Sequence, residues 1–203
     1  MRQPRDKTIS AKNTDPIIIS NQFSTYTPPL TLEGREVIRR HLYTCAKQHN
    51  YQIMAWCILP TSYRFILFAN KIDKSRKKKI IKPLQQLADF SRSFQMRVQS
   101  WIEYSSDHRG SIWRERYMGS SLDTPGECIA ATVCTHAFPI LTGISNTTED
   151  YFFTSYYHAC AGDNIARQNI SQIVGKPDTS WSSVKQMHDK LINECVQTVL
   201  PKG

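Results

Sequence analysis

The hydrophobic and polar positions along the chain give their clearest signal in YQIMAWCILPTSYRFILFAN, residues 51–70. Two apolar runs rich in β-branched and aromatic residues, 51–59 and 63–68, are separated by a short Pro-Thr-Ser break. Such a pair of runs around a break of this kind predicts a β-hairpin. Neither run alternates between apolar and polar residues, which predicts a central strand pair covered on both faces.

The rest of the chain follows with helical patterns and shorter apolar runs. Apolar residues at helical spacing indicate the helices, and most of these also begin with an N-cap residue or a proline. The third helix must stop or kink at Pro139, because proline cannot continue the helical hydrogen bonding. The predicted elements are strands at 16–20 and 111–122, helices at 31–48, 83–101, 124–139 and 180–200, and an aromatic segment at 151–162 that folds back over the core.

Two polar residues mark the start of the second apolar run. Ser62 and Arg64 are two positions apart, so their side chains point to the same face of the strand. An arginine in so apolar a hairpin needs a partner or an opening to solvent. Either Arg64 pairs with a carboxylate or extends to solvent at the strand end, or this face of the strand meets a phosphate. The strand alone favours the first interpretation.

The chain is strongly basic, and its charge narrows the class of partner. Its 203 residues suffice for one domain with a sizeable core. Lysine and arginine number 26 against 17 acidic residues, giving a net charge of +9. This excess indicates a polyanionic partner, nucleic acid before membrane. No run is apolar enough to cross a bilayer and no signal-peptide region is visible, so we expect a cytoplasmic protein without a membrane partner.

The cysteines and histidines do not form a recognisable metal or disulfide pattern. No C-x-x-C pair occurs, and no histidine lies at ligand spacing with a cysteine. All six cysteines lie in or beside apolar runs, which predicts reduced core residues. They are Cys45, Cys57, Cys128, Cys134, Cys160 and Cys195.

A dense basic run follows the hairpin. Residues 71–82, KIDKSRKKKIIK, hold seven basic residues and one acid. Such a run is either a solvated loop or a segment that contacts a phosphate backbone, and the net charge favours the second interpretation. The polar, basic segment 1–15 adds to the positive charge as a mobile tail. The candidate phosphate contacts in the run are Lys74, Arg76, Lys77, Lys78, Lys79 and Lys82.

A second candidate surface mixes aromatic and basic residues. Trp113 and Tyr117 lie among Arg109, Arg114 and Arg116. This spacing suits a strip that stacks bases and binds phosphates. Two aromatic residues in the core with arginines pointing to water are equally compatible with the sequence.

Several blocks, taken in order, resemble one known family. They are NYQIMAWCILPTSYRFILF, RVQSWIEYSSDHRGSIWRERYMGSSLD, the helix ending in Pro139, and YFFTSYYHACAG. Over residues 30–162 they resemble the single-tyrosine HUH transposases, most closely the bacterial REP-associated tyrosine transposases. The resemblance implies an α+β fold of the HUH, ferredoxin-like type, with helices on a central antiparallel sheet and DNA hairpins as substrate. The chain then divides into the tail at 1–15, a transposase-like domain at 16–162 and a C-terminal helical extension at 163–203.

The same resemblance implies that four functional positions have changed. The family holds a divalent metal with His-x-His on the strand after the hairpin turn, where this chain has Ser62 and Arg64. Cys134 stands at the nucleophilic tyrosine and Phe138 at the third, polar metal ligand. Serine is a poor ligand, arginine repels a metal ion and phenylalanine has no lone pair. We therefore expect no metal, no cofactor and no strand cleavage, with Cys134 a small buried residue.

The leading hypothesis is a catalytically degenerate, transposase-derived protein that binds hairpin or single-stranded DNA without cutting it. Arg64 would bind the phosphate where the family places its metal. The bacterial group implies a cytoplasmic, nucleoid-associated protein. One alternative is an active transposase with relocated groups such as His136, Tyr117 or Tyr156, and another is a protein-interaction module. RNA remains open as a partner in place of DNA, and the sequence does not indicate the oligomeric state.

Overall fold

The computed structural model describes residues 16–70, 83–174 and 179–200. Within them, four strands form an antiparallel sheet in the order β2-β3-β1-β4, with helices packed on it, so the predicted α+β fold is confirmed. The strands are β1 (Ile17–Gln22), β2 (Tyr51–Ile58), β3 (Ser62–Ala69) and β4 (Met118–Ser121). The helices are α1 (Leu32–Gln48), α2 (Pro83–Ser105), α3 (Pro125–Leu141), α4 (Ser155–Cys160), α5 (Asn164–Val174) and α6 (Trp181–Val199).

The predicted hairpin is confirmed as β2 and β3. Its register pairs Tyr51 with Ala69 and Ile58 with Tyr63. The prediction of a central strand pair is wrong for one of its members. Strand β3 lies between β2 and β1, whereas β2 lies at the edge of the sheet.

The outer edge of β2 is closed by side chains from much later in the chain. Ser155 Oγ accepts a hydrogen bond from the Trp56 backbone N–H at 3.0 Å. Asn169 Nδ2 donates to the Ile53 carbonyl at 2.8 Å. An open edge would leave such groups free to pair with another chain. Because these side chains bind them, β2 can lie at the edge of the sheet without a further strand beside it, while helices on both sides of the sheet contact its apolar faces.

Helices α1 and α2 cover one face of the sheet. Helix α1 begins as predicted, since Thr31 Oγ1 accepts a hydrogen bond from the Gly34 N–H at 3.1 Å. On α2, the Phe94 ring stands edge-on to the Tyr63 and Phe65 rings of β3, with centroids 5.2 and 5.3 Å apart. Such edge-to-face pairs add to the energy of apolar burial. The main hydrophobic core lies between these helices and the sheet.

Helix α3 covers the opposite face over β2 and β3. It begins as predicted, with Thr124 and Glu127 in a reciprocal capping box. Of the predicted stop or kink at Pro139, the stop is wrong, because the helix continues to Leu141. A proline this close to the end removes one backbone hydrogen bond, and the last turn still forms around it.

Residues 151–174 and 179–200 fold back onto both the sheet and α3. Residues 151–162 lie over the core as predicted, and the Tyr151 hydroxyl donates to the Ile58 carbonyl at 2.8 Å. The predicted last helix is confirmed as α6, and apolar residues of α3, α5 and α6 form a second cluster. In the three described ranges, no helix is long and apolar enough to cross a membrane.

The predicted strand at 111–122 is wrong over most of its length. Only Met118–Ser121 forms a strand, and Trp113 makes a single bridge to Phe23. Ser20 pairs with Met118, and Phe23 bridges to Trp113. Between these two points, residues 21–22 lie opposite the four residues 114–117. The two extra residues interrupt the ladder, as in a bulge.

Replacing Gly34 with alanine should destabilise the protein by about 1–3 kcal/mol, the range for overpacking a filled site. A Cβ at this position would lie 2.7 Å from Trp101 Cη2. The clash outweighs the gain of up to about 1 kcal/mol that alanine normally brings to a helix interior. Urea unfolding of the variant measures the change.

Gly126→Ala provides the matched control on α3. The nearest atom to its Cβ would be Thr124 Oγ1 at 4.0 Å, so this substitution meets open space. It should leave stability unchanged or raise it. Equal stability of Gly34→Ala and the native chain would contradict the packing argument.

Candidate nucleic-acid interface

The sheet face that carries Arg64 is covered on one side and open on the other. Helix α3 packs on β2 and β3, whereas the β1 and β4 side chains on this face are partly or fully exposed. The register places Arg64 beside Ser20 of β1, and Ser20 beside Met118 of β4. Directly paired residues of antiparallel strands share a face. We call the exposed part the open half-sheet, and its residues are Ile18, Ser20, Gln22, Met118 and Ser120.

Arg64 lies at the border between α3 and the open half-sheet. Its guanidinium carbon lies 4.1 Å from the centroid of the Phe138 ring, a cation–π contact. Its Nη1 makes a long contact of 3.5 Å to the Cys134 carbonyl oxygen. Burial lowers the pKa of the guanidinium, although arginine remains charged at neutral pH.

The guanidinium keeps unused hydrogen-bonding capacity. Arg64 Nε is buried without a partner in the part of the chain that the structure describes. Within the same residues, Arg64 makes no ion pair with a carboxylate. A buried charge without a counter-charge is costly. The described residues contain no carboxylate partner for Arg64, so the ion pair considered from the sequence is not found among them. The side chain instead lies half-buried on the Phe138 ring.

The structure brings three of the four changed positions together. Arg64 on β3 contacts both Cys134 and Phe138, which are four residues apart on α3 and so lie on one face of that helix. Ser62 points to the same sheet face and is buried. A cation stacked on a phenyl ring does not suit a divalent metal ion. Among the described residues, no group of three or more His, Cys, Asp or Glu side chains could hold one.

The environment of Cys134 differs from the prediction. It is partly exposed rather than buried, as are Cys128, Cys160 and Cys195; of the six cysteines only Cys45 and Cys57 are buried core residues. The Sγ atoms of Cys134 and Cys195 are 3.4 Å apart, so α6 reaches the edge of the site. No sequence pattern indicates this contact, because it joins helices that are distant along the chain.

The two polar residues considered as relocated groups near α3 lie in a closed network. His136 is fully buried, with Nδ1 2.8 Å from His188 Nε2 and Nε2 2.7 Å from Ser155 Oγ. The Tyr156 ring lies beside His136, and its hydroxyl donates to Asp189. Both ring nitrogens of His136 are therefore occupied, and neither is available to a substrate. No sequence pattern singled out His188, because its partner His136 lies 52 positions away on another helix.

The aromatic and basic strip adjoins the open half-sheet at one end. Arg109, Arg114 and Arg116 are all exposed. Arg114 Nη1 donates to Gln22 Oε1 of the open half-sheet at 3.1 Å. Trp113 is partly exposed and stacks on Phe23, with ring centroids 5.0 Å apart. One face of the Trp113 indole is thus covered by the core residue Phe23. Tyr117, the third residue considered as a relocated group, packs against the main core rather than beside α3.

Two predicted parts of the basic surface lie outside the described residues. These are the segment 1–15 and the basic run 71–82. The run connects β3, which carries Arg64, to α2. Its six candidate phosphate contacts remain predictions from the sequence.

Comparison with known proteins gives a structural likeness and no sequence match. No family model matches the chain, and no curated protein matches it. The structure is similar to that of a REP-associated tyrosine transposase bound to a REP hairpin, with a TM-score of 0.58, 14% identity, and coverage of 80% of this chain and 87% of that one. A proposed transposase of Deinococcus radiodurans R1 is less similar, with a TM-score of 0.40, 15% identity, and coverage of 59% of this chain and 84% of that one. The chain therefore has the fold of the REP-associated tyrosine transposases, and the resemblance to the single-tyrosine transposases seen in its sequence is confirmed.

Proposed function

We propose that this protein binds hairpin or single-stranded DNA through the open half-sheet and does not cleave it. The observation that carries the proposal is Arg64, a half-buried cation that borders an exposed sheet face and has no carboxylate partner among the described residues. A phosphate oxygen would supply the missing counter-charge and accept charge-assisted hydrogen bonds from the guanidinium. The solved structure of similar fold holds a REP hairpin, which favours DNA as the source of that phosphate.

The chemistry of the open half-sheet suits a nucleic-acid strand. Ser20, Gln22 and Ser120 offer hydroxyl and amide groups that can donate to phosphate or base oxygens. Met118 is 68% exposed and gives an apolar contact for a base. Arg114, held against Gln22, places a second cation at the end of the surface. A backbone that crosses β1 between Arg64 and Arg114 would thus meet a positive charge at each side.

The same residues support the proposal that the bound DNA is not cleaved. Attack on a phosphodiester needs a nucleophile and a group that offsets the charge developing on the phosphoryl oxygens. Arg64 can offset charge, but Phe138 has no metal-binding atom and Cys134 is a thiol in contact with a second thiol. The two buried histidines are closed off in their own hydrogen-bond network. The bound DNA would therefore remain intact.

A gel assay with a labelled DNA hairpin bearing a single-stranded flank tests the proposal. Binding should produce a native shift without cleavage, and without a denaturant-resistant adduct, whether or not manganese is present. Affinity should fall about tenfold between about 50 and 200 mM salt for every two phosphates neutralised. An RNA hairpin of the same sequence distinguishes the two kinds of nucleic acid.

Two results would count against this function. A manganese-dependent covalent adduct would mean that the chain is an active transposase with relocated groups. Affinity for the hairpin that does not change with salt would exclude a phosphate-binding surface. A protein-interaction module would then be the better description.

A further inference from the structure

Two thiols from different helices lie in contact beside Arg64. Cys134 Sγ on α3 and Cys195 Sγ on α6 are 3.4 Å apart, and both residues are partly exposed. The Arg64 guanidinium interacts electrostatically with both thiols. We infer that this pair is a reversible oxidation site, where a hydroperoxide joins α3 to α6 through a disulfide bond.

The geometry needs only a small movement. A disulfide holds its sulfur atoms about 2.05 Å apart, so the two thiols must approach by about 1.3 Å. Rotation of one side chain about its Cα–Cβ bond can supply a shift of this size. Partial exposure gives an oxidant access to the pair, whereas Cys45 and Cys57 are buried. Burial, followed by the contact with Cys134, raises the pKa of the Cys195 thiol above its ordinary value, against a smaller opposing effect of Arg64. We therefore assign the first attack on the oxidant to Cys134 and the second, resolving step to Cys195.

The reaction with hydrogen peroxide balances without any further reagent. One thiolate attacks a peroxide oxygen, the O–O bond breaks, and the departing hydroxide takes up the proton of that thiol to leave as water. The resulting sulfenic acid is attacked at sulfur by the second thiol, whose proton leaves with the sulfenic oxygen as a second water. The thiols lose two electrons and two protons in total, and the peroxide becomes water. A thiol reductant reverses the bond.

The disulfide would fix the C-terminal helix in place. Helix α6 is joined to the rest of the chain through residues 175–178, which lie outside the described part, and it packs on α3. A covalent link across a long stretch of chain restricts the unfolded state and so stabilises the fold. The oxidised protein should therefore melt at a higher temperature than the reduced one.

Peroxide treatment of the full chain, followed by alkylation and non-reducing peptide mass spectrometry, tests the inference. The native chain has six thiols, and loss of this pair should leave four that can be alkylated. The peptides that contain Cys134 and Cys195 should be joined within one chain, and dithiothreitol should separate them. Cys195→Ser should abolish the joined peptide and leave Cys134 as a sulfenic acid that a dimedone reagent captures.

Cys128→Ser is the matched control, since it removes another partly exposed thiol and should leave the joined peptide intact. If Cys195→Ser fails to fold, the mapping on the native chain still decides the matter. Six alkylated thiols after peroxide, a disulfide between other cysteines, or a disulfide between two chains would each overturn the inference.

Discussion

Replacing Arg64 with alanine should weaken binding to a DNA hairpin by about 1–3 kcal/mol, or roughly 5- to 150-fold, the range for hydrogen bonds to a charged group. Arg64 borders the open half-sheet, and its guanidinium has no carboxylate partner among the described residues. If a DNA phosphate is the anionic partner of Arg64, it loses the guanidinium as its hydrogen-bond donor in the variant. Fluorescence anisotropy at fixed low salt measures the change.

Two variants separate the role of Arg64 from general effects of charge. Arg92→Ala removes the same single charge from an exposed position on α2, which packs on the opposite face of the sheet. It should change affinity much less. Arg64→Lys keeps the charge and loses the planar fork, so it should retain part of the binding.

The outcome for Arg64 is decisive once folding has been checked. Thermal melting shows whether the loss of contact with Phe138 unfolds the variant. A folded Arg64→Ala protein that binds as tightly as the native chain would place the phosphate elsewhere on the basic surface. An equal loss in Arg92→Ala would mean that only total charge matters.

The sequence predicted those parts of the fold that depend on neighbouring residues. The hairpin follows from two apolar runs around Pro60, and the starts of α1 and α3 follow from caps at Thr31 and Thr124. Each of these signals acts within a few residues of the structure it determines. Local chemistry was therefore enough for the elements and, with the resemblance, for the fold.

The sequence could not predict contacts that join distant segments. Strand β2 was assigned to the centre of the sheet because it is apolar on both faces, yet its edge is closed by Ser155 and Asn169, both about a hundred positions away. The Cys134–Cys195 contact and the open half-sheet also depend on how α6 and α3 pack. The meeting of Arg64, Cys134 and Phe138 was implied only by the resemblance, and no local pattern indicates it.

The buried pair of His136 and His188 should make the stability of the protein sensitive to acid. One proton arrangement satisfies their bonds: His188 Nε2 donates to His136 Nδ1, His136 Nε2 donates to Ser155, and Ser155 donates to the Trp56 carbonyl. His188 Nδ1 then needs no proton, in agreement with its lack of a partner among the described residues. Both imidazoles are neutral in this arrangement. A proton added to either one would be buried without a counter-charge that pairs with it directly.

Burial lowers the pKa of His136 well below its ordinary value, and the neighbouring His188 lowers it further. Burial also lowers the pKa of His188 from 6.5 to about 4, against a smaller opposing effect of Asp189. That carboxylate is itself engaged by Tyr156 and Lys185. Below about pH 6.5, the two histidines therefore bind protons in the unfolded chain but stay neutral in the folded chain.

The free energy of unfolding should thus be highest above pH 6.5 and fall as the pH is lowered towards 4. His188 alone should account for a loss of about 3 kcal/mol across this window, at about 1.4 kcal/mol per pKa unit, and His136 adds to it. Urea unfolding at a series of pH values measures the slope.

Carboxylates contribute over the same range, so the informative quantity is the difference between the native chain and His188→Gln. The variant should be less stable at pH 7, because a buried hydrogen bond is disturbed, and flatter from pH 6.5 to 4.5. Parallel curves for the native chain and His188→Gln would show that the pair is not the source of acid sensitivity.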